Sequence, residues 1–350
     1  MRVIALEEHY KHPAIREANR HHPIETVYGH VHKATDGRGD DFPPGISDLG
    51  DGRIAAMDAA GIDVQILSHT VPSVEGLDPS IAVDLARQAN DSIAAAAAAH
   101  PTRFRGFATL PMSDPAAAAQ ELERAVVELK FVGALINGHV NERYLDDEFF
   151  WPVFETAERL GVPVYLHPQA PPKGVVDAYY SGFAPAVSDA LSLAGLGWHI
   201  DTGVHCIRLI LGGVFDRFPR LQVIVGHNFE ALAWMAWRVD YSFALGATSG
   251  AGDAGLKKTV RQYLRDNFYG GVLAGEYFSQ EAGQVDPGWS LAHNAYRGMA
   301  GVVGPDRILF TSDYPYGNME ASRRFLDQMP ISAADRDNIA HLNAERLLNL

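Results

Sequence analysis

Short apolar runs alternate with helix-period stretches along most of the chain. Val3–Leu6 reads as a first strand, and Gly52–Ala60 as a short amphipathic helix stopped by Gly61. Val64–Leu67 is a second strand, Ile81–His100 an Ala-rich helix ended by Pro101, Phe104–Ala108 a third strand, and Ala116–Leu129 a helix of good formers. Gly133–Ile136 is a fourth strand. A helix over Asp147–Leu160 follows, with Gly161 at its C-cap position, and then a fifth strand, Val164–Leu166. Past a long irregular stretch come a helix over Thr202–Gly212, a sixth strand Gln222–Val225 and a Trp-bearing helix Phe229–Phe243. Phe268–Gly271 and Ile308–Phe310 complete eight strands, and Ala333–Leu348 closes the chain as a helix. Short strands separated by helices predict a parallel sheet, and eight such units predict an α/β fold closed into a (β/α)8 TIM barrel, a single domain over 1–350. The rival is a doubly wound open sheet, against which stands the lack of a Gly-rich phosphate fingerprint after the first strand. Segments of about 12–50, 169–193 and 272–290 read as long irregular insertions, the kind that serve as lids or substrate walls.

In such a barrel the chemistry belongs at the C-terminal ends of the strands. Glu7, Glu8 and His9 follow the first strand, Asn137, Gly138 and His139 the fourth, and His167 the fifth. His227 follows the sixth, with Glu230 three residues on, and Asp313 follows the eighth, ahead of Tyr314 and Tyr316. Glu7 and His9 are two apart, so on an extended strand they face one side and can offer a carboxylate and an imidazole to one ion. His167 adds a nitrogen and Asp313 an oxygen, a mixed set suited to Zn²⁺ or Mn²⁺. His227 then stands beside the ion as a supporting or catalytic group, its ring oriented by Glu230. Arg238 is either solvent-facing or aimed from its helix at a substrate carboxylate. The neighbouring Trp234 and Trp237 read as core, and His205 and His341 as structural.

Composition narrows the partners. The 350 residues are 47% hydrophobic and 21% charged, enough apolar material for a sizeable core. With 29 basic against 43 acidic residues the formal charge is -14, which argues against nucleic acid as a partner. No apolar run approaches the roughly 20 residues of a membrane span, and no secretory signal is evident. Cys206 is the only cysteine, so no intrachain disulfide forms. It reads as a buried small apolar residue, and the cytoplasm is the expected compartment.

The phrases IALEEHY (4–10), RFRGFATLPMSDP (103–115), FVGALINGH (131–139), VPVYLHP (162–168), FDRFPRLQVIVGHNFE (215–230) and DRILFTSDYPY (306–316) resemble the amidohydrolase-2 family. That is the branch of the amidohydrolase superfamily holding metal-dependent decarboxylases, of the γ-resorcylate, 2,3-dihydroxybenzoate and 5-carboxyvanillate types. The resemblance implies one divalent ion, Zn²⁺ or Mn²⁺, on Glu7, His9, His167 and Asp313, and no organic cofactor. It implies that His227 and Glu230 lie beside the ion and that Arg238 meets the substrate carboxylate. Tyr316, with Asn137, falls among substrate-binding positions. Where the family usually reads GHMGE this chain reads GHNFE, with Asn228 and Phe229. The implied substrate is a small aromatic carboxylate with an ortho hydroxyl, which loses CO₂ to leave a phenol, with Asp313 at the ion supplying a proton. Relatives imply a homodimer or homotetramer. The competing chemistry on the same residues is hydrolysis of an amide or lactone by metal-activated water. A non-catalytic metabolite binder is the third possibility, disfavoured by the intact ligand set.

Overall fold

In the computed structural model, which describes residues 1–22, 24, 43–249, 255–273 and 287–350, eight strands pair in sequence order. They are β1 (Ile4–Tyr10), β2 (Val64–His69), β3 (Phe104–Thr109), β4 (Gly133–Asn137), β5 (Val164–His167), β6 (Val223–Val225), β7 (Phe268–Val272) and β8 (Ile308–Phe310). Neighbours are parallel throughout, and a parallel bridge between Leu6 and Thr311 returns the end of β8 to β1. The sheet is therefore a nearly closed (β/α)8 barrel, and the open-sheet alternative falls.

Side chains of alternate strand positions fill the barrel. Ile4, Leu6, Ile66, Phe107, Tyr165, Ile224 and Leu309 form one interior cluster, while Ala5, Leu67, Ala108 and Val225 face the surrounding helices in another. Ala344, Leu347 and Leu348 of the helix Asn343–Leu348 join the interior cluster. Asn343 Nδ2 donates to the carbonyls of Pro305 (3.0 Å) and Ile308 (2.8 Å), where β8 begins. That helix thus closes the N-terminal end of the barrel with apolar contacts and leaves the opposite mouth for polar groups.

β1 is longer than its apolar run, because it continues through Glu7, Glu8 and His9 to Tyr10. Its pairing with β2 slips between Ala5 (opposite Gln65) and Glu8 (opposite Leu67), so Leu6 and Glu7 share one partner position. Glu7 sits at φ 64°. The extra residue shifts the strand's parity. Ile4 and Leu6 face inward, which in a regular strand would bring Glu8 inward too; the bulge brings Glu7 and His9 in instead.

Other elements depart from the sequence expectations. A helix Gly197–Leu211 begins five residues before the expected Thr202, and the expected helix from Phe229 is a tight turn at His227–Phe229 followed by Leu232–Ser249. The segment 169–193 is not wholly irregular, for it carries Lys173–Val175, Val176–Tyr180 and Pro185–Ser192. Pro13–Ala18 is likewise helical, whereas residues 23, 25–42 and 274–286 of the other two segments lie outside the described residues. Trp234 and Trp237 are 60% and 62% exposed rather than core. They project from the face opposite Leu232 and Ala236, which are spaced one turn apart and are the buried positions. Cys206 is fully buried, as expected, and His205 is structural, its Nε2 accepting from the Leu145 amide at 2.9 Å.

Candidate metal centre and active site

Four strand ends converge at the open mouth. Glu7 and His9 come from β1, His167 ends β5, His227 opens the turn after β6, and Asp313 follows β8. Glu7, His9 and His167 offer ligand atoms that all lie within 4.8 Å of one another. Glu7 Oε1 is 3.7 Å from His167 Nε2 and 3.5 Å from His227 Nε2. Asp313 reaches His9 Nε2 with Oδ1 at 3.2 Å and His227 Nε2 with Oδ2 at 3.8 Å. His167 donates Nδ1–H to the Pro168 carbonyl at 2.8 Å, which leaves Nε2 as the nitrogen presented to the cluster. His9 Nδ1 meets Ser68 Oγ at 3.2 Å and likewise presents Nε2.

These donors fit a divalent cation. Among the described residues, both Glu7 carboxylate oxygens and His9 Nε2 are buried and lack a hydrogen-bond partner, a costly state that a cation would relieve. Burial pushes the Glu7 carboxyl up to about 8, and a bound cation would return it to its ionised form. His167 is held well below the usual imidazole range, first by burial and then by His9 and His227, so its Nε2 lone pair is free for coordination. Burial opposes ionisation of Asp313, but the imidazoles of His227 and His9 close to its oxygens hold its carboxyl far below the usual range. For His227 burial likewise opposes charge, yet the carboxylates of Glu7 and Glu230 hold its imidazole well above the ordinary value.

The backbone at the mouth is unusual. Glu7, His227, Asn228, Phe229, Glu230 and Asp313 all have positive φ, a conformation that costs non-glycine residues energy and tends to gather at functional sites. Asn228, one of the departures from the family phrase, ties this turn to the end of β7. Its Nδ2 donates to the Leu273 carbonyl and its Oδ1 accepts from the Leu273 amide, both at 3.1 Å. Phe229 is buried against Phe268 rather than facing the mouth. Gly226 is required by space, since a Cβ there would lie 2.6 Å from both Glu7 oxygens and 2.4 Å from the Tyr165 hydroxyl.

Behind β1 lies a second polar group that sequence reasoning did not single out. Glu8 accepts from the Ser312 amide (3.1 Å), from Ser312 Oγ (2.7 and 2.8 Å) and from Gln65 Nε2 (2.7 Å). Arg53, fully buried, donates to the His9 carbonyl at 2.5 Å and the Asp48 carbonyl at 2.7 Å. This network joins β1, β2 and the residue next to Asp313. Its sequence signal is a pair of adjacent acids of which only one faces the cluster.

Glu230 is divided between two histidines. Its Oε1 accepts from His227 Nδ1 at 2.8 Å and its Oε2 from His199 Nδ1 at 2.5 Å. His199 carries no signal in the sequence, because it sits in the first turn of a helix whose pattern is visible only from Thr202. Among the remaining candidates, Asn137 donates its amide N–H (3.0 Å) and Nδ2 (2.9 Å) to Glu75 Oε1, and its own Oδ1 is buried without a partner. Tyr316 lies edge-on to His9, ring centroids 5.9 Å apart, with its hydroxyl 3.5 Å from Thr70 Oγ1. Arg238 is exposed, its guanidinium over the rings of Trp237 and Tyr241, and among the described residues it makes no hydrogen bond or ion pair with the cluster.

Eight parallel strands with nitrogen and oxygen donors at their C-terminal mouth define a (β/α)8 barrel with a candidate metal centre. The family described as amidohydrolase matches residues 20–350, and the chain belongs to that family. A γ-resorcylate decarboxylase of Polaromonas sp. is 38% identical over 313 residues, 87% of this chain and 88% of the relative. The crystal structure of a 2,6-dihydroxybenzoate decarboxylase complexed with 2,6-dihydroxybenzoate is 32% identical with a TM-score of 0.81, covering 100% of both chains. A 5-carboxyvanillate decarboxylase of Novosphingobium aromaticivorans, complexed with manganese and 4-hydroxy-3-methoxy-5-nitrobenzoic acid, is 34% identical with a TM-score of 0.84, covering 100% of this chain and 96% of that one. Among the described residues no helix is long and apolar enough to cross a membrane.

Proposed function

We infer that the protein is a metal-dependent carboxy-lyase that removes CO₂ from an ortho-hydroxylated benzoate and leaves a phenol. The observation that carries this reading is the buried donor set of Glu7, His9 and His167, with both Glu7 oxygens and His9 Nε2 unpartnered among the described residues, beside a His227 held by Glu230, in a chain whose full-length relatives include γ-resorcylate decarboxylases. Glu7, His9, His167 and Asp313 are the residues that would hold the ion. When bound, a divalent ion supplies positive charge to the phenolate and carboxylate oxygens and to the charge that builds on them during reaction. Zn²⁺ and Mn²⁺ both suit the donors, and the manganese of the 5-carboxyvanillate relative favours Mn²⁺.

The protein's part is to protonate the ring carbon that bears the carboxylate. Direct loss of CO₂ would leave an aryl carbanion, so the proton must come first. His227, whose imidazole is held above its ordinary value by the acids around it, has Nε2 3.8 Å from Asp313 Oδ2. In this reading the proton passes from His227 Nε2 to Asp313 Oδ2 and on to the ring carbon. The electrons of the breaking carbon–carbon bond then restore the aromatic ring as CO₂ departs. Each turnover consumes one proton for each CO₂ released. Asn137 Oδ1, its amide donors committed to Glu75, is an acceptor for a ring hydroxyl. Tyr316 closes the edge beside His9, and Arg238 remains the candidate for the carboxylate.

The same reading includes a homodimer or homotetramer in the cytoplasm. The exposed Trp234, Met235, Trp237 and Tyr241 of the helix Leu232–Ser249 support a second copy as the partner of that face. The reading is tested by incubating manganese-loaded protein with a panel of 2-hydroxybenzoates and following CO₂ and the phenol product, with Asp313→Asn as control. Release of both products, lost in the variant, is the expected result. Metal-loaded protein that is silent across the panel overturns it and turns attention to amide and lactone substrates.

A further inference from the structure

We propose that His199 is a positioning residue for His227, acting through the shared carboxylate of Glu230; the catalytic part of this proposal rests on the decarboxylase reading above. Glu230 is fully buried as a side chain and has only two oxygens to hold. His227 occupies one and His199 the other, at 2.8 and 2.5 Å. An ionised carboxylate only accepts, so both Nδ1 atoms carry protons. The proton on His227 Nδ1 fixes which nitrogen turns toward Glu7 and Asp313, and the direction of Glu230 fixes the plane of that ring.

Glu230 does not hold this direction by its backbone alone. It stands at φ 51° at the end of a run of four positive-φ residues, a stretch without the ladder bonds of a strand or a regular helix. His199 supplies the missing anchor from a different element. Its helix, Gly197–Leu211, follows the long excursion after β5, and its Nε2 has a partner in either state, the Trp198 indole N–H at 3.1 Å when it accepts or the Ala194 carbonyl at 3.0 Å when it donates. The imidazole is 26% exposed, while Glu230 is sealed beneath it. Leu193 and Trp198, both shortly before His199, are buried with Val71 and Ile24, which fixes the start of the helix that carries the imidazole. His199 touches none of the candidate ligands, so its loss is separable from loss of the ion.

The test compares His199→Phe, which keeps the ring volume and removes the donor, with His199→Asn, whose amide can still donate to Glu230. In manganese-loaded protein, His199→Phe is expected to lower kcat about 10–100-fold, the usual cost of losing an outer hydrogen-bond partner. KM should move less than about threefold and bound manganese should be unchanged, since binding groups are untouched. His199→Asn should recover most of the loss, and added imidazole should restore turnover to His199→Ala through the exposed opening. A second readout does not depend on turnover. Protein carrying ¹⁵N-histidine should show a downfield Nδ1–H proton for His227 that is retained in His199→Asn and lost or shifted upfield in His199→Phe. If His199→Phe folds with full kcat and an unmoved His227 proton, the proposal is overturned. If the wild type turns over no hydroxybenzoate, the functional reading falls, and the His227 proton alone decides whether His199 positions it.

Discussion

Glu7 and Glu8 are neighbours in β1, equally buried, and both carboxyls are pushed up to about 8 by burial. Their surroundings differ completely. Glu8, on the helix side of the strand, accepts from the Ser312 amide and hydroxyl and from Gln65, with Arg53 close by. Glu7, on the barrel side, has imidazoles and the Tyr165 hydroxyl near it, but among the described residues neither oxygen has a hydrogen-bond partner in good geometry. One carboxylate is satisfied by protein and ties strands together; the other is left open among the described residues. A buried acid is therefore informative about function only after its donors have been counted.

The largest expected effect separates the two directly. Glu7→Gln should abolish stoichiometric manganese binding and lower turnover on the order of 10³-fold or more, while the metal-free protein unfolds at about the wild-type urea midpoint. Glu8→Ala should do the reverse, costing about 3–5 kcal/mol of stability by stranding Ser312, Gln65 and Arg53, with manganese still bound by the folded fraction. Urea titration and metal analysis of the two variants check both halves. Gly226→Ala comes next. Its Cβ intrudes on the Glu7 oxygens, so manganese affinity should fall about 10–100-fold in a competition titration, the fold remaining intact by circular dichroism.

Metal removal should show a smaller effect of the same kind. With free manganese at about 100 times its Kd, binding adds roughly 2.7 kcal/mol to wild-type stability, which a chelator should remove. Glu7→Gln should be indifferent to the chelator, while Glu8→Gln should respond as the wild type does. The smallest effect is in pH. Both carboxyls hold their protons more tightly folded than unfolded, so between the ordinary carboxylate range and about 8 the folded state carries more protons. Metal-free stability should then decline as pH rises through that window, and Glu8→Gln should flatten the decline. Manganese affinity should climb with pH up to about 8 and level off, because the ion competes with the proton on Glu7. Denaturant and binding titrations from pH 5 to 9 follow both trends.

Much of this was visible in the chain before the fold. Eight apolar runs with helices between them announce a barrel because each βα unit is a local pattern that needs no knowledge of its partners. Glu7, His9, His167, His227, Glu230 and Asp313 could be gathered because barrel strands deliver their last residues to one place. The reason given for Glu7 and His9 was incomplete, however. Simple alternation from Ile4 and Leu6 would have selected Glu8, and only the register slip opposite Ile66 selects Glu7. No residue type in IALEEHY marks that slip. His199 was hidden for a different reason: it meets Glu230 across 31 positions, from an element whose start carries no capping residue with a side-chain bond. Trp234 and Trp237 misled because large aromatic side chains on a periodic helix resemble core, and periodicity does not say which face is inward.

The apolar floor of the barrel has a consequence for how the chain acquires its shape. β1 borders β8 through Leu6 and Thr311, and its Ile4 and Leu6 share a cluster with Leu347 and Leu348. Residues separated by more than three hundred positions must meet before either end is buried. The first strand therefore waits, unpaired on one edge, until β8 and the helix Asn343–Leu348 have been synthesised, and closure of the ring is a late event set by loop-closure entropy. The same closure brings Asp313 alongside His9, so the candidate metal centre is assembled only when the ring is complete.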